Sequence, residues 1–148
     1  MKALVLFVSL GLIATQAMAQ KVKPEEVPAG VKKAFADKFT VTKNVKWEKE
    51  GEEFEASFEA NGKEQTAVFS NSGQWKETET EIKESALPAA VKATLAKEFA
   101  GYKVDEIESI EAPGKNTFYE LEAEKGKTAY EVQFSADGKI LKKEEKKD

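Results

Sequence analysis

A segment near the start of the chain returns sixty residues later. Val27-Pro28-Ala29-Gly30-Val31-Lys32 recurs as Leu87-Pro88-Ala89-Ala90-Val91-Lys92, and the match runs on through Ala36/Ala96 and Phe39/Phe99. Farther along, the offset becomes sixty-five, pairing Phe54 with Tyr119, Glu55 with Glu120, Phe69 with Phe134, Ser70 with Ser135 and Gly73 with Gly138. Two matching patches in the same order point to an internal duplication, which constrains the fold more than any single motif. The units span residues 27–82 and 87–143, joined by 83–86 and followed by a charged tail at 144–148. The five extra residues of the second unit fall in the turn-rich Ala112-Pro113-Gly114-Lys115-Asn116.

Each unit opens with a helical pattern. Val31, Phe35 and Phe39 recur at every fourth position, as do Val91, Leu95 and Phe99, so each short helix carries one apolar stripe. Pro28 and Pro88 suit a first helical turn, where a missing N–H costs nothing, and Gly101 suits a stop. The remainder reads as strands. Phe54, Ala56 and Phe58 alternate with Glu53, Glu55, Ser57 and Glu59, and Tyr119, Leu121 and Ala123 alternate with Glu120, Glu122 and Glu124. Asn61-Gly62, Ser72-Gly73 and Asp137-Gly138 are the dipeptides that tight hairpins favour. Further strands fall near residues 45–49, 74–82, 105–110 and 139–143. The expected fold is α+β: two tandem repeats, each a short helix followed by a four-stranded antiparallel meander, with the helices packed on one sheet face. The other face then opens to water, lined with glutamate.

Residues 1–19 read as a secretory signal peptide. Lys2 supplies the positive start, and Ala17-Met18-Ala19 supplies a small-x-small cleavage site, so Ala19 and Gln20 flank the cut. The apolar run from residue 3 to residue 14 is shorter than the roughly 20 residues that a membrane span needs. No cysteine follows it, which excludes lipid attachment of the lipoprotein type. The expected location is periplasmic or secreted, without stable membrane insertion after cleavage, and residues 20–26 form a short lead into the first unit.

Composition removes most catalytic chemistry. All 23 basic residues are lysines, and His, Cys and Arg are absent. Imidazole- or thiolate-based triads, His or Cys metal sites and disulfides are therefore excluded. The net charge of −4 becomes −5 once Lys2 is cleaved away, so nucleic acid is not an expected partner. No cofactor, no metal site and no enzymatic activity are expected. Glycosidases do pair carboxylates, but glutamates alternating on strands with lysines among them read as a solvated sheet face. The turns Asn71-Ser72-Gly73 and Ala136-Asp137-Gly138 lack the ladder of ligands that calcium requires.

The Leu87-Pro88-Ala89-Ala90-Val91 opening, the Tyr130-Glu131-Val132-Gln133-Phe134 strand and the Asp137-Gly138-Lys139 hairpin resemble the PepSY-like, or beta-lactamase-inhibitor-like, family of exported bacterial proteins. The first unit matches less closely, with Ala67-Val68-Phe69 in the strand and Ser72-Gly73-Gln74 at the hairpin. The resemblance implies a helix-plus-sheet protein of the envelope that binds other proteins without catalysis. Its motifs consist of core and turn residues, and shape alone is a weak guide to function.

Binding residues are sought on the open face. Trp47 and Trp75 align with Ile107 and Ile140, which argues for core positions. Phe118 points away from the helix if Tyr119 and Leu121 point toward it. The expected partner-binding residues are Glu55, Glu59, Phe118, Glu120 and Glu122, meeting a protein or peptide of the cell envelope. The competing expectation is an envelope protein that sequesters small cationic ligands or metal ions.

Overall fold

In a computed structural model of the chain, the structure describes residues 19–146. The expected signal peptide lies outside the described residues except for Ala19, and Gln20 opens the first strand. The elements run β1 (Gln20–Val22), α1 (Ala29–Lys38), β2 (Lys43–Glu50), β3 (Glu53–Ala60), β4 (Lys63–Ser70) and β5 (Trp75–Glu81). They continue with α2 (Ala89–Glu98), β6 (Lys103–Glu111), β7 (Phe118–Lys125), β8 (Thr128–Ser135) and β9 (Ile140–Lys146). Single 3-10 turns, Pro24–Glu26 and Glu84–Ala86, precede the helices. Among the described residues no helix is long and apolar enough to cross a membrane.

All nine strands form one antiparallel sheet in sequence order. This corrects the expectation of two tandem helix-plus-four-strand repeats. β5 pairs with β6 through Thr78↔Glu111, Glu79↔Ile110, Thr80↔Ser109 and Glu81↔Glu108, and β1 adds a ninth strand beside β2. The physical reason lies in strand edges. A meander ending at β5 would leave a row of unpaired N–H and C=O groups, and joining β6 to it removes two such edges at once. Period-two patterning says which face a side chain takes, but not which strand lies beside it.

Register carries one face through the whole sheet. Ala56 stands opposite Ala67, Ala67 opposite Thr78, Thr80 opposite Ser109, Ser109 opposite Tyr119, and Tyr119 opposite Phe134. Both helices pack on that face. Val31 and Phe35 of α1 meet Trp47, Phe54, Phe58 and Phe69. Val91 and Leu95 of α2 meet Ile107, Leu121, Val132 and Phe134. Phe35 is the hub of the first cluster, with ring centroids 5.3 Å from Trp47 and 5.0 Å from Phe58. Trp75 is partly buried, with its Nε1 donating to Thr78 Oγ1 at 2.9 Å and the Lys38 Nζ lying 3.5 Å from its ring centroid.

Hairpin turns lock the helices down. Gly73 and Gly138 hold φ of +87° and +83°, and each backs directly onto the first turn of a helix. Thr94 Oγ1 donates to the Gly138 carbonyl at 2.8 Å, tying α2 to the β8–β9 turn. Replacing Thr94 with valine keeps the shape and deletes that bond, so urea denaturation is expected to show a loss of about 1 kcal/mol. An unchanged midpoint would mean that the tie contributes nothing.

Candidate functional site

The face opposite the helices is built by the alternate residues of the same strands. Across the middle of the sheet, Glu55 of β3 stands opposite Val68 of β4, Val68 opposite Glu77 of β5, and Thr66 opposite Glu79. Glu79 then stands opposite Ile110 of β6, Ile110 opposite Phe118 of β7, and Glu108 opposite Glu120. The result is a glutamate-rich surface with an apolar floor, in which Val68 and Ile110 are each only 3% exposed.

All five expected partner-binding residues stand at register positions of this face: Glu55 and Glu59 on β3, and Phe118, Glu120 and Glu122 on β7. Glu55 is buried, and the other four are partly buried. They form two groups rather than one. Three strands intervene, so at roughly 4.8 Å per strand spacing the groups lie about 19 Å apart. The acids between them are Glu64 of β4, Glu77, Glu79 and Glu81 of β5 and Glu108 of β6, none of which sequence reasoning placed in the site. The alternation Glu77-Thr78-Glu79-Thr80-Glu81 was the available signal. Its value depended on knowing that β5 lies at the middle of a sheet, where an edge strand would have left these acids in water.

That position changes the acids. Burial pushes the Glu79 carboxyl up to about 9, with Glu108, Glu77, Glu120 and Glu55 adding repulsion. Burial likewise raises Glu55 to about 7, helped by Glu48, Glu50 and Glu77. Glu108 also rises to about 7 by burial, helped by Glu120, Glu106 and Glu81. Glu77 is raised by burial and by Glu53, against the pull of Lys115. Glu120 is raised less freely, because the Gln133 amide donates to its Oε2 at 2.7 Å and Lys142 opposes the shift.

Ion pairs flank the face toward β9. Lys142 pairs with Glu144 at 2.9 Å and with Glu131 at 4.0 Å, and Lys146 pairs with Glu122. At the centre, Glu79 is 4% exposed and its Oε2 is buried with no hydrogen-bond partner. Among the described residues no group of three or more acids is placed to share a metal ion. A recess between the β3–β4 turn and the segment leading into α2, lined by Lys63, Glu64, Glu81 and Lys83 among others, mixes both charges. Strongly shifted carboxyls are a mark of functional sites.

The family model described as "Putative beta-lactamase-inhibitor-like, PepSY-like" matches residues 13–67 and 52–142. The chain belongs to this family. Solved structures similar to it include a protein from Bacteroides eggerthii described as "putative periplasmic", at 20% identity and TM-score 0.77, covering 80% of this chain and 88% of that one. A BLIP-like protein from Bacteroides fragilis is similar at 25% identity and TM-score 0.73, covering 80% and 85%. A DUF2874 family protein from Bacteroides uniformis is similar at 23% identity and TM-score 0.76, covering 80% and 88%. These likenesses establish the PepSY-like fold over most of the chain. No curated protein matches the sequence. The family description is inhibitor-like.

Proposed function

We propose that this PepSY-like protein is an exported, non-catalytic binding or inhibitory module that engages a basic protein or peptide through the open acidic face of its sheet. The observation that supports this reading most is the continuity of that face. Glutamates on five adjacent strands, β3 to β7, share one surface with Phe118, and both described helices lie on the other side. Export is supported by the signal-like residues 1–19 and by the periplasmic description of the Bacteroides eggerthii relative. A binding role is in keeping with the BLIP-like description of the Bacteroides fragilis relative.

The mechanism is steric and electrostatic. Phe118 and the apolar floor supply contact area, while the acids speed encounter with basic partners and exclude acidic ones. Such binding weakens with salt, since rim charges are screened over about 8 Å at physiological ionic strength.

The test is retention of a partner from an envelope extract of the native host. The double variant Glu59→Lys, Glu122→Lys reverses charge at both groups of the face, on side chains that are only half-buried. It is expected to weaken binding of the retained partner by about tenfold or more, equivalent to about 1.4 kcal/mol, with little change in unfolding temperature. A partner held equally well by both proteins would remove the acidic face as the binding surface.

A further inference from the structure

Glu79 sits where a carboxylate is least at home. It lies at the middle of β5, facing Thr66 of β4 on one side and Ile110 of β6 on the other. The charged groups that bear on it are acids of four strands: Glu55 of β3, Glu77 of β5 itself, Glu108 of β6 and Glu120 of β7. Glu81 follows on β5, Glu106 adds to the repulsion on Glu108, and β4 places Thr66 and Val68 beside Glu79 and Glu77, with Glu64 farther along the same face. Lys115 pulls on Glu77, and Lys142 and Lys146 pull on Glu120. The Oε2 atom of Glu79 is buried and makes no hydrogen bond. A buried polar atom left unpaired costs about 1–3 kcal/mol, and native folds seldom keep one without a use.

The surroundings specify what would complete it. A bare metal ion does not fit, because no three acids among the described residues are placed to share one. Val68, Ile110 and Phe118 make the floor beside Glu79 apolar. The complementary group is therefore a cation on a long apolar stem, which describes lysine and arginine side chains. We propose that Glu79 forms the base of a subsite for one lysine or arginine side chain of a protein partner. Seating this side chain expels the proton that Glu79 carries when the site is empty. This rests on the reading of the acidic face as a surface for basic partners. Entry needs rotation of the flanking glutamate side chains, since both described helices lie on the far face.

The proton passes to solvent, so binding is coupled to pH. At pH 8 Glu55 and Glu108 are ionised while Glu79 still holds its proton. Calorimetry at that pH with an eight-residue lysine peptide, in two buffers of different ionisation enthalpy, counts protons released. The native chain is expected to release close to one proton per peptide, and Glu79→Gln, neutral and of the same shape, to release none and bind about tenfold more weakly. Equal affinity for the native chain and Glu79→Gln, without proton release, would overturn the subsite. If Glu59→Lys, Glu122→Lys still weakened binding in that case, the acidic face would stand without it. Absence of peptide binding to the native chain would overturn both readings. Spermine bound as tightly as the peptide, with the same proton release, would overturn a protein side chain as occupant in favour of free amines.

Discussion

The folded chain is expected to become more stable on acidification from pH 8 to pH 5, the reverse of ordinary acid denaturation. The sign follows from Glu79. Its carboxyl is raised from 4.5 to about 9 in the folded protein, so across this range the native state holds a proton that the unfolded chain has already lost. Unfolding therefore releases a proton, and rising pH favours it by about 1.4 kcal/mol per unit, or about 4 kcal/mol over the three units. Below 4.5 both states are protonated and the effect ends; above 9 the full penalty applies. Glu55 and Glu108, raised to about 7, add to the trend in its lower half. Asp137, lowered from 3.8 by its bond to Ser135, acts in the opposite sense, but only below this range. Urea midpoints of the native chain and of Glu79→Gln at pH 5, 6.5 and 8 make the test. Glu79→Gln is expected to flatten the slope and to be the more stable protein at pH 8. Parallel slopes in the two proteins would show that Glu79 ionises normally. An acid that lowers stability where a neutral residue would not is the usual trade between stability and function.

The second large effect is steric. A Cβ on Gly138 would lie 2.5 Å from the Ala90 carbonyl oxygen and 3.1 Å from the Ala90 Cβ, at a φ of +83°. Gly138→Ala therefore combines left-handed backbone strain of about 1–2 kcal/mol with an overpacking cost of about 1–3 kcal/mol. The clash is with helix backbone, which cannot rotate away, so α2 must lift from the sheet. A total loss of about 3 kcal/mol is expected from urea denaturation. Gly126 is the matched control, because its φ is +65° with nothing within 4 Å of a Cβ, and Gly126→Ala should show the strain alone. Equal losses at the two sites would mean that the helix contact carries no weight.

Much of the local structure was legible in the chain. The fourfold spacing of Val31, Phe35 and Phe39 marked α1, and the alternation of Phe54, Ala56 and Phe58 with glutamates marked β3 and its buried side. Asp137-Gly138 marked the β8–β9 turn, although its contact with α2 had no sequence signal at all. The orientation of Phe118 away from Tyr119 and Leu121 followed from period two alone. The centre of the acidic face was not legible. Glu77, Glu79 and Glu108 look no different in sequence from Glu64 or Glu124, which are exposed. What separates them is the pairing of β5 with β6, made between segments that α2 interrupts.

The sequence by itself determined both helices, the eight strands after β1, the face that Phe54, Leu121 and Phe118 take, and the family, because these rest on periodicities and turn residues read within a few positions. The tertiary structure decided that one sheet holds all nine described strands, and thereby which glutamates lose water and become unusually weak acids. Burial depends on neighbours distant in the chain, and no local pattern encodes them.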